Sequence, residues 1–247
     1  MLKLGLIGKK LGHSFSKLFF EKLFQDEHQP GTYDLIELKD SSAIVQLKNN
    51  NYNGLNVTIP YKEAVIPFLD ELSIPASAVG AVNCIEFLKG GLTRGHNTDI
   101  IGFEETLLPL IKNRKDIKSA LVLGSGGGAK AVCFVLKKLN ISYNIVSRNP
   151  KDNWLAYQDL NHSVISDVNL IINATPLGMF PDTHSAPLIP YDAINQNHIL
   201  YDLVYNPEET LFMKRGKEKG AVVCNGLSML YAQAIAAWKI WNKNFCD

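Results

Sequence analysis

Apolar runs of strand length alternate along the chain with apolar positions at helical spacing, and these two rhythms predict its elements. Over residues 1–99, Lys3–Gly8 reads as a buried strand, Ser16–His28 as an amphipathic helix and Tyr33–Leu38 as a second strand. Ser41–Lys48 reads as a short helix entered through Ser41 as its cap, and Gly54–Val57 as a third strand. Val82–Leu88 and Leu92–Gly95 flank Gly90-Gly91, the strongest hairpin signal in the sequence. A hairpin inside a strand–helix–strand series predicts a mixed sheet.

From residue 100 onward the alternation is more regular. Thr98–Ile111 reads as a connecting helix, ended by Pro109 or by the basic Lys112–Lys115 stretch. Strands are expected at Ser119–Gly124, Tyr143–Ser147, Leu170–Asn173, Ile199–Leu203 and Ala221–Cys224, with helices at Gly128–Leu139 and Glu208–Lys217. That order builds a parallel sheet covered by helices on both faces. Leu227–Trp241 is one long apolar-rich helix, its Trp238 and Trp241 read as core or interface residues.

Composition narrows the function. Lysine plus arginine number 25 against 24 acids, and a net charge of +1 gives no long-range field for nucleic acid or an anionic membrane. No apolar run approaches the ~20 residues that span a bilayer, and Met1–Gly8 is too short for a signal peptide. Cys84, Cys133, Cys224 and Cys246 lie far apart with no C-x-x-C pair, which argues against a metal site or a disulfide framework and fits a reducing cytoplasm. Small-molecule chemistry remains.

Leu121-Val122-Leu123 runs into Gly124-Ser125-Gly126-Gly127-Gly128-Ala129 and then a helix, a strand-to-helix turn of the form G-x-G-x-x-A. Gly124 permits the tight turn, Gly126 lets the backbone approach a pyrophosphate, and Ala129 allows close helix–strand packing. The N–H groups at the helix start then face phosphates. The next strand ends in Ser147-Arg148-Asn149-Pro150-Lys151, with two cations where an NAD protein places an acid for the ribose 2′-hydroxyl. Arg148 can fork onto a 2′-phosphate and Lys151 adds a point charge, so NADP is expected rather than NAD. The architecture is therefore α/β in two domains: a mixed-sheet domain over 1–99 and a Rossmann-like NADP-binding domain over 100–224. A C-terminal helix over 225–247 returns to the first domain.

Five further segments are polar where strands end or helices begin: residues 12–16, 54–62, 80–83, 95–99 and 225–233. Within them stand Ser-x-Ser (Ser14, Ser16), Asn-Val-Thr-x-Pro-x-Lys ending at Lys62, Gly-Ala-Val-Asn ending at Asn83, and Asn-Thr-Asp ending at Asp99. Downstream come Asn-Ala-Thr-Pro-x-Gly-Met (173–179), Asp-x-Val-Tyr-x-Pro (202–207) and Asn-Gly-x-x-Met-Leu-x-x-Gln ending at Gln233. In this order the motifs make the sequence resemble the shikimate dehydrogenase family along essentially its whole length. The resemblance implies reversible NADPH-dependent reduction of 3-dehydroshikimate to shikimate, on the route to chorismate and the aromatic amino acids. It implies that Ser14 and Ser16 bind the ring carboxylate, and that Thr58, Lys62, Asn83, Asp99 and Gln233 hold the ring hydroxyls and the reacting oxygen. It further implies a pyrophosphate cradle from Gly124 to Gly128, with Arg148 and Lys151 at the 2′-phosphate. Thr175, Leu203, Tyr205 and Gly226 would lie along the ribose–nicotinamide end, Tyr205 touching substrate as well.

The residues agree with those roles. Hydride addition to a carbonyl leaves an alkoxide that needs a proton donor within reach. Lys62 follows Pro60, a residue suited to open a helix, and the positive helix end and the Asp99 carboxylate would act on its amine in opposite senses. That opposition would fit Lys62 to give a proton in reduction and take one in oxidation. The five segments contain no arginine, Arg94 standing just before the fourth, so two hydroxyls replace a guanidinium at the carboxylate, and ordinary helix capping is the plainer role for either serine. Lys10 and Lys17 stand where the family commonly has prolines, bringing cations toward that end, and Cys84 replaces a common threonine. His13, His96 and Asn97 read as structural hydrogen bonders. Two alternatives stand beside this reading. An NAD-dependent quinate/shikimate dehydrogenase would want an acid in place of Arg148, and a non-catalytic NADP-binding regulator would be expected to lack Lys62 or Asp99. An open sheet edge in the first domain would allow a homodimer.

Overall fold

The computed structural model describes residues 1–12, 14–47, 51–151 and 153–242. His13, Lys48, Cys246 and the side chain of Ser41 lie outside the described residues. The chain divides into two compact units, one formed by Met1–Thr98 with the segment from Ala234 onward, the other by Asp99–Gln233.

In the first unit the elements are β1 (Leu2–Gly8), α1 (Phe15–Asp26), β2 (Gly31–Glu37), α2 (Ile44–Leu47), β3 (Gly54–Val57), α3 (Tyr61–Ala64), β4 (Glu71–Leu72), α4 (Ile74–Val79), β5 (Cys84–Phe87) and β6 (Thr93–His96). The sheet order is β2-β1-β3-β5-β6-β4. β1 lies parallel to both β2 and β3, while β3–β5 and β5–β6 are antiparallel, so the sheet is mixed as expected. β1 is flanked by a strand on each side and almost wholly buried, which is why its sequence is a run rather than an alternation. The hairpin exists, but its strands close at Phe87 and Thr93. Residues 88–92 form the connection, with Gly90 and Gly91 at φ +84° and +81°. The Leu88 N–H donates to Leu92 C=O at 2.8 Å and ties its ends. The pattern reading missed α4, whose six residues are too few to show a period. Its punctuation was nonetheless present: the Ser73 side chain accepts from Ala76 N–H, and Gly80 at φ +66° ends the helix.

In the second unit the elements are α5 (Asp99–Ile111), β7 (Ser119–Leu123), α6 (Gly127–Lys138), β8 (Ser142–Val146), α7 (His162–Ser166), β9 (Leu170–Asn173), β10 (Ile199–Asp202), α8 (Leu211–Glu218), β11 (Val222–Cys224) and the start of α9 (Leu227–Asn242). α5 continues through Pro109 and ends two residues later at Ile111. The five strands are parallel in the order β11-β10-β9-β7-β8. Central β9 and β10 are buried throughout, whereas edge strand β8 shows the partial exposure of an edge. Numbered within the unit this is 2-1-3-4-5, a doubly wound order whose switch point lies between β7 and β9. The residues of α9 from Ala234 onward belong to the first unit. There Trp241, 1% exposed, donates its indole N–H to Ile85 C=O at 2.9 Å, and Trp238 packs edge-on to Phe24. Both tryptophans are core residues.

Candidate active site

The turn after β7 sits at the switch point. Gly124 adopts φ +107°, and a Cβ there would come within 2.9 Å of Thr175 Cγ2 and 3.1 Å of the Ala174 backbone, the segment that leaves β9. Only glycine fits both demands. Ser125 continues the turn to Gly126, which is exposed, with nothing within 4 Å of where a Cβ would stand. Gly126 caps α6 without a side chain, so the first N–H groups of a 12-residue helix, beginning with Gly127 and Gly128, have no capping oxygen from it. Buried Ala129 closes the helix onto the sheet. A clear backbone cradle at a positive helix end fits a dinucleotide pyrophosphate.

Other predicted cofactor residues gather on the same rim. A Cβ on Gly128 would meet Leu203 Cδ2 at 3.3 Å, and one on Gly226 would strike the Leu203 carbonyl oxygen at 2.2 Å. Gly226 therefore lets the start of α9 press against the chain leaving β10, and its N–H donates to Val204 C=O at 3.0 Å. At the tip of β8, Ser147 is buried while Arg148 and Lys151 are exposed. The Ser147 N–H donates to Leu155 C=O and Trp154 N–H to Lys151 C=O, each at 2.9 Å, so the basic segment is a held turn. With no acid from Ser147 to Lys151, this tip fits a 2′-phosphate.

Sequence reasoning missed what holds this rim together. Asp202, fully buried, accepts at Oδ1 from Asn173 Nδ2 (2.9 Å) and Val204 N–H (3.0 Å), and at Oδ2 from the Thr210 hydroxyl (2.5 Å). Asn173 Oδ1 in turn accepts from the Thr175 hydroxyl (2.6 Å) and N–H (3.1 Å). Burial pushes the Asp202 carboxyl up to about 6, against these hydrogen bonds, which favour the ionised form. Burial likewise raises the Tyr205 phenol. The signal was present in the two motifs that begin at Asn173 and Asp202, but only the sheet pairing Asp202 with Asn173 makes them one network.

In the first unit, backbone hydrogen bonds collect the polar residues that follow β1 and β3. Thr58 N–H donates to Ile7 C=O (3.0 Å), Val57 N–H to Asn83 C=O (2.8 Å) and Val82 N–H to Lys62 C=O (2.7 Å). Tyr61 pins the intervening turn by donating its hydroxyl to Leu38 C=O at 2.7 Å. Thr58, Lys62 and Asn83 are thus bound into one corner, the first two half-buried and Asn83 buried. α3 is a single turn of four residues, so the dipole of a long helix is not available there and that part of the expectation for Lys62 falls away. The Asn83 side chain accepts from Thr98 N–H at 2.6 Å and donates to Thr98 Oγ1 at 3.0 Å, fixing the residue before Asp99.

Ser14 occupies the N-cap of α1 but makes no side-chain capping bond. On β2, the Tyr33 hydroxyl donates to Asn56 Oδ1 at 2.8 Å. Tyr33 and Asn56 were not singled out from the sequence. Lys17 pairs with Glu21 at 3.8 Å along α1, and Arg94 is held by Glu71 at 2.8 Å and Glu86 at 4.0 Å. His96 Nε2 meets Glu86 Oε2 at 3.0 Å, and Asn97 donates to Ala81 C=O at 2.9 Å, the structural roles expected of them. In the second unit, Asp99 opens α5 and Gln233 lies on α9. A Cβ on Gly102, one turn beyond Asp99, would stand 3.2 Å from the Gln233 Cβ, so the two helices approach closely beside both residues. Among the described residues no group of His, Cys, Asp and Glu could hold a metal ion, and no helix is long and apolar enough to cross a membrane.

A five-stranded parallel unit with a glycine turn at its switch point, joined to a mixed-sheet unit rich in hydroxyl, amide and amine groups, is the build of a nicotinamide-dependent oxidoreductase. A family model described as the shikimate dehydrogenase substrate binding domain matches residues 6–85. The NADP(+)-dependent shikimate dehydrogenase of Clostridium beijerinckii is 38% identical over 253 residues, covering 97% of this chain and 91% of that protein. A shikimate 5-dehydrogenase from Thermus thermophilus, solved with NADP(H) and shikimate, has a TM-score of 0.86 at 29% identity, over 98% of this chain and 94% of that one. A quinate dehydrogenase from Corynebacterium glutamicum, solved with NAD, also reaches 0.86, at 26% identity and the same coverage. The chain belongs to the NADP(+)-dependent shikimate dehydrogenase family.

Proposed function

We propose that Lys62 and Asp99 carry the proton chemistry of this enzyme, which reduces 3-dehydroshikimate to shikimate with NADPH. The observation that carries the reading is the corner in which Val82 N–H binds Lys62 C=O at 2.7 Å and Val57 N–H binds Asn83 C=O at 2.8 Å. It gathers a hydroxyl, an amine and an amide, a set suited to a ring bearing hydroxyls and a carbonyl. When bound, NADPH supplies the hydride, with Gly124, Ser125, Gly126, Gly127 and Gly128 at its pyrophosphate and Arg148 and Lys151 at its 2′-phosphate. Thr175, Leu203 and Gly226 would line its nicotinamide end. Lys62 Nζ gives its proton to the oxygen of the reduced carbon and takes it back in the reverse reaction. Asp99 acts as its partner, directing the amine. Ser14 and Ser16 bind the ring carboxylate, and Thr58, Asn83, Tyr205 and Gln233 bind the ring's other oxygens. Residues 1–99 then form the substrate domain and 100–224 the cofactor domain. Free thiols at Cys84, Cys133 and Cys224 support a cytoplasmic setting.

Lys62→Ala should lower kcat by about 10²–10⁴-fold, the range for loss of a general acid–base, while the Kd for NADPH stays unchanged. Near-normal turnover would remove Lys62 from the chemistry.

A further inference from the structure

We propose that Asn173 and Asp202 act as one positioning pair for the nicotinamide half of the cofactor: without touching it, they set the two loops against which it lies. The proposal rests on the reading of the glycine turn and of Thr175, Leu203 and Gly226 as the cofactor site.

Each residue ends a strand, Asn173 on β9 and Asp202 on β10, and the parallel register sets them side by side. Both are 0% exposed, so no ligand reaches either side chain and they act through the loops. The Asn173 amide is saturated. Its Oδ1 accepts from the Thr175 N–H and hydroxyl, while its Nδ2 donates to Asp202 Oδ1 at 2.9 Å and to Leu177 C=O at 3.3 Å. Thr175 N–H can only donate and Leu177 C=O only accept, so the amide has one orientation. Asp202 holds the other loop, accepting from Val204 N–H at Oδ1 and from the Thr210 hydroxyl at Oδ2. The bond between Asn173 and Asp202 thus fixes the loop after β9 relative to the loop after β10.

Both loops press on the glycine cradle. A Cβ on Gly124 would lie 2.9 Å from Thr175 Cγ2. Leu203 stands between Asp202 and Val204, and a Cβ on Gly128 would lie 3.3 Å from its Cδ2, one on Gly226 2.2 Å from its carbonyl oxygen. Packing this close passes a small shift of either loop to the turn. Arg148 stands elsewhere: β8 lies across β7 from β9 and β10, so the pair bears on the nicotinamide end and not on the 2′-phosphate.

The test is titration of NADPH by fluorescence and of shikimate by calorimetry on Asn173→Ala, Asp202→Ala and the double variant, each first checked by thermal melting. Asn173→Ala should raise the NADPH Kd about tenfold, about 1.4 kcal/mol, and the KM for NADP+ and for NAD+ by the same factor, with the shikimate Kd within about twofold. The double variant should bind NADPH no more than about twofold more weakly than the weaker single, because either substitution breaks the same bond. An unchanged NADPH Kd, a shikimate Kd that moves by the same factor, a loss confined to NADP+, or single-variant factors that multiply overturns the proposal. Should an alanine variant fail to fold, Asn173→Ser keeps an oxygen for Thr175 N–H but loses the amide that meets Asp202, and must raise the NADPH Kd at least about threefold; an unchanged Kd there overturns the proposal. Gly126→Ala separates the proposal from the reading beneath it. Nothing stands within 4 Å of that Cβ, so the fold accepts it where a pyrophosphate would not. A normal NADPH Kd in Gly126→Ala overturns the cofactor-site reading; a raised one beside an unchanged Kd in Asn173→Ala overturns the proposal alone.

Discussion

At the tip of β8 a single side chain carries the proposed preference for one dinucleotide over the other. Ser147 is buried and Arg148 exposed, so the turn presents the guanidinium while keeping the neighbouring hydroxyl inside, where it accepts from Asn149 N–H at 3.2 Å. Arg148→Gln should raise the KM for NADP+ by about 10–100-fold, the worth of about 1.5–3 kcal/mol for charged hydrogen bonds, and leave the KM for NAD+ unchanged. Equal losses for both cofactors, measured in parallel shikimate oxidations, would place Arg148 in general folding rather than at the 2′-phosphate. The expectation for Arg148 comes from the glycine turn upstream, which gives the strand end a meaning. The role of Tyr33 was not legible: a tyrosine in a predicted strand looks like any core aromatic until β2 pairs with β1 and its hydroxyl meets Asn56 Oδ1.

Among the elements, the long apolar runs announced themselves, and β1, β3, β9 and β10 fall within a residue or so of where periodicity set them. Short or locally punctuated elements did not. α4 and α7 each rest on one capping side chain, Ser73 and Asn161, and neither shows a helical period. Pro109 did not stop α5: it removes the N–H that would have donated to Glu105 C=O, and the helix runs only two residues beyond it. Close contacts between elements were also hidden. Gly54 on β3 reads as a strand start, yet a Cβ there would fall 2.1 Å from Trp241 Nε1 on α9. Gly54→Ala should therefore displace the indole from its bond to Ile85 C=O and destabilise the fold by about 1–3 kcal/mol, read as a lower denaturant midpoint. An unchanged midpoint would mean that α9 can shift without loss.

Across the whole molecule, stability should carry the imprint of Asp202. Its carboxyl is raised from 3.8 to about 6 by burial. Between those values the folded chain binds the proton that the unfolded chain has released, so stability falls as pH rises through that window. Asp202→Asn cannot titrate. The difference in unfolding free energy, native sequence minus variant, should decline by up to about 3 kcal/mol from pH 4 to pH 7. A flat difference in parallel denaturant titrations would show that the hydrogen bonds from Asn173, Val204 and Thr210 outweigh burial. The network was unreadable in sequence because its members are 29 and 8 positions apart and meet only through the parallel pairing of β9 and β10. The central claim is that the Lys62 amine moves the proton. A crystal structure of the enzyme with NADP+ and shikimate tests it most directly: Lys62 Nζ should lie within about 3.2 Å of the hydroxyl oxygen on the carbon to be oxidised. That oxygen held by other groups, with Lys62 turned to solvent, would contradict it.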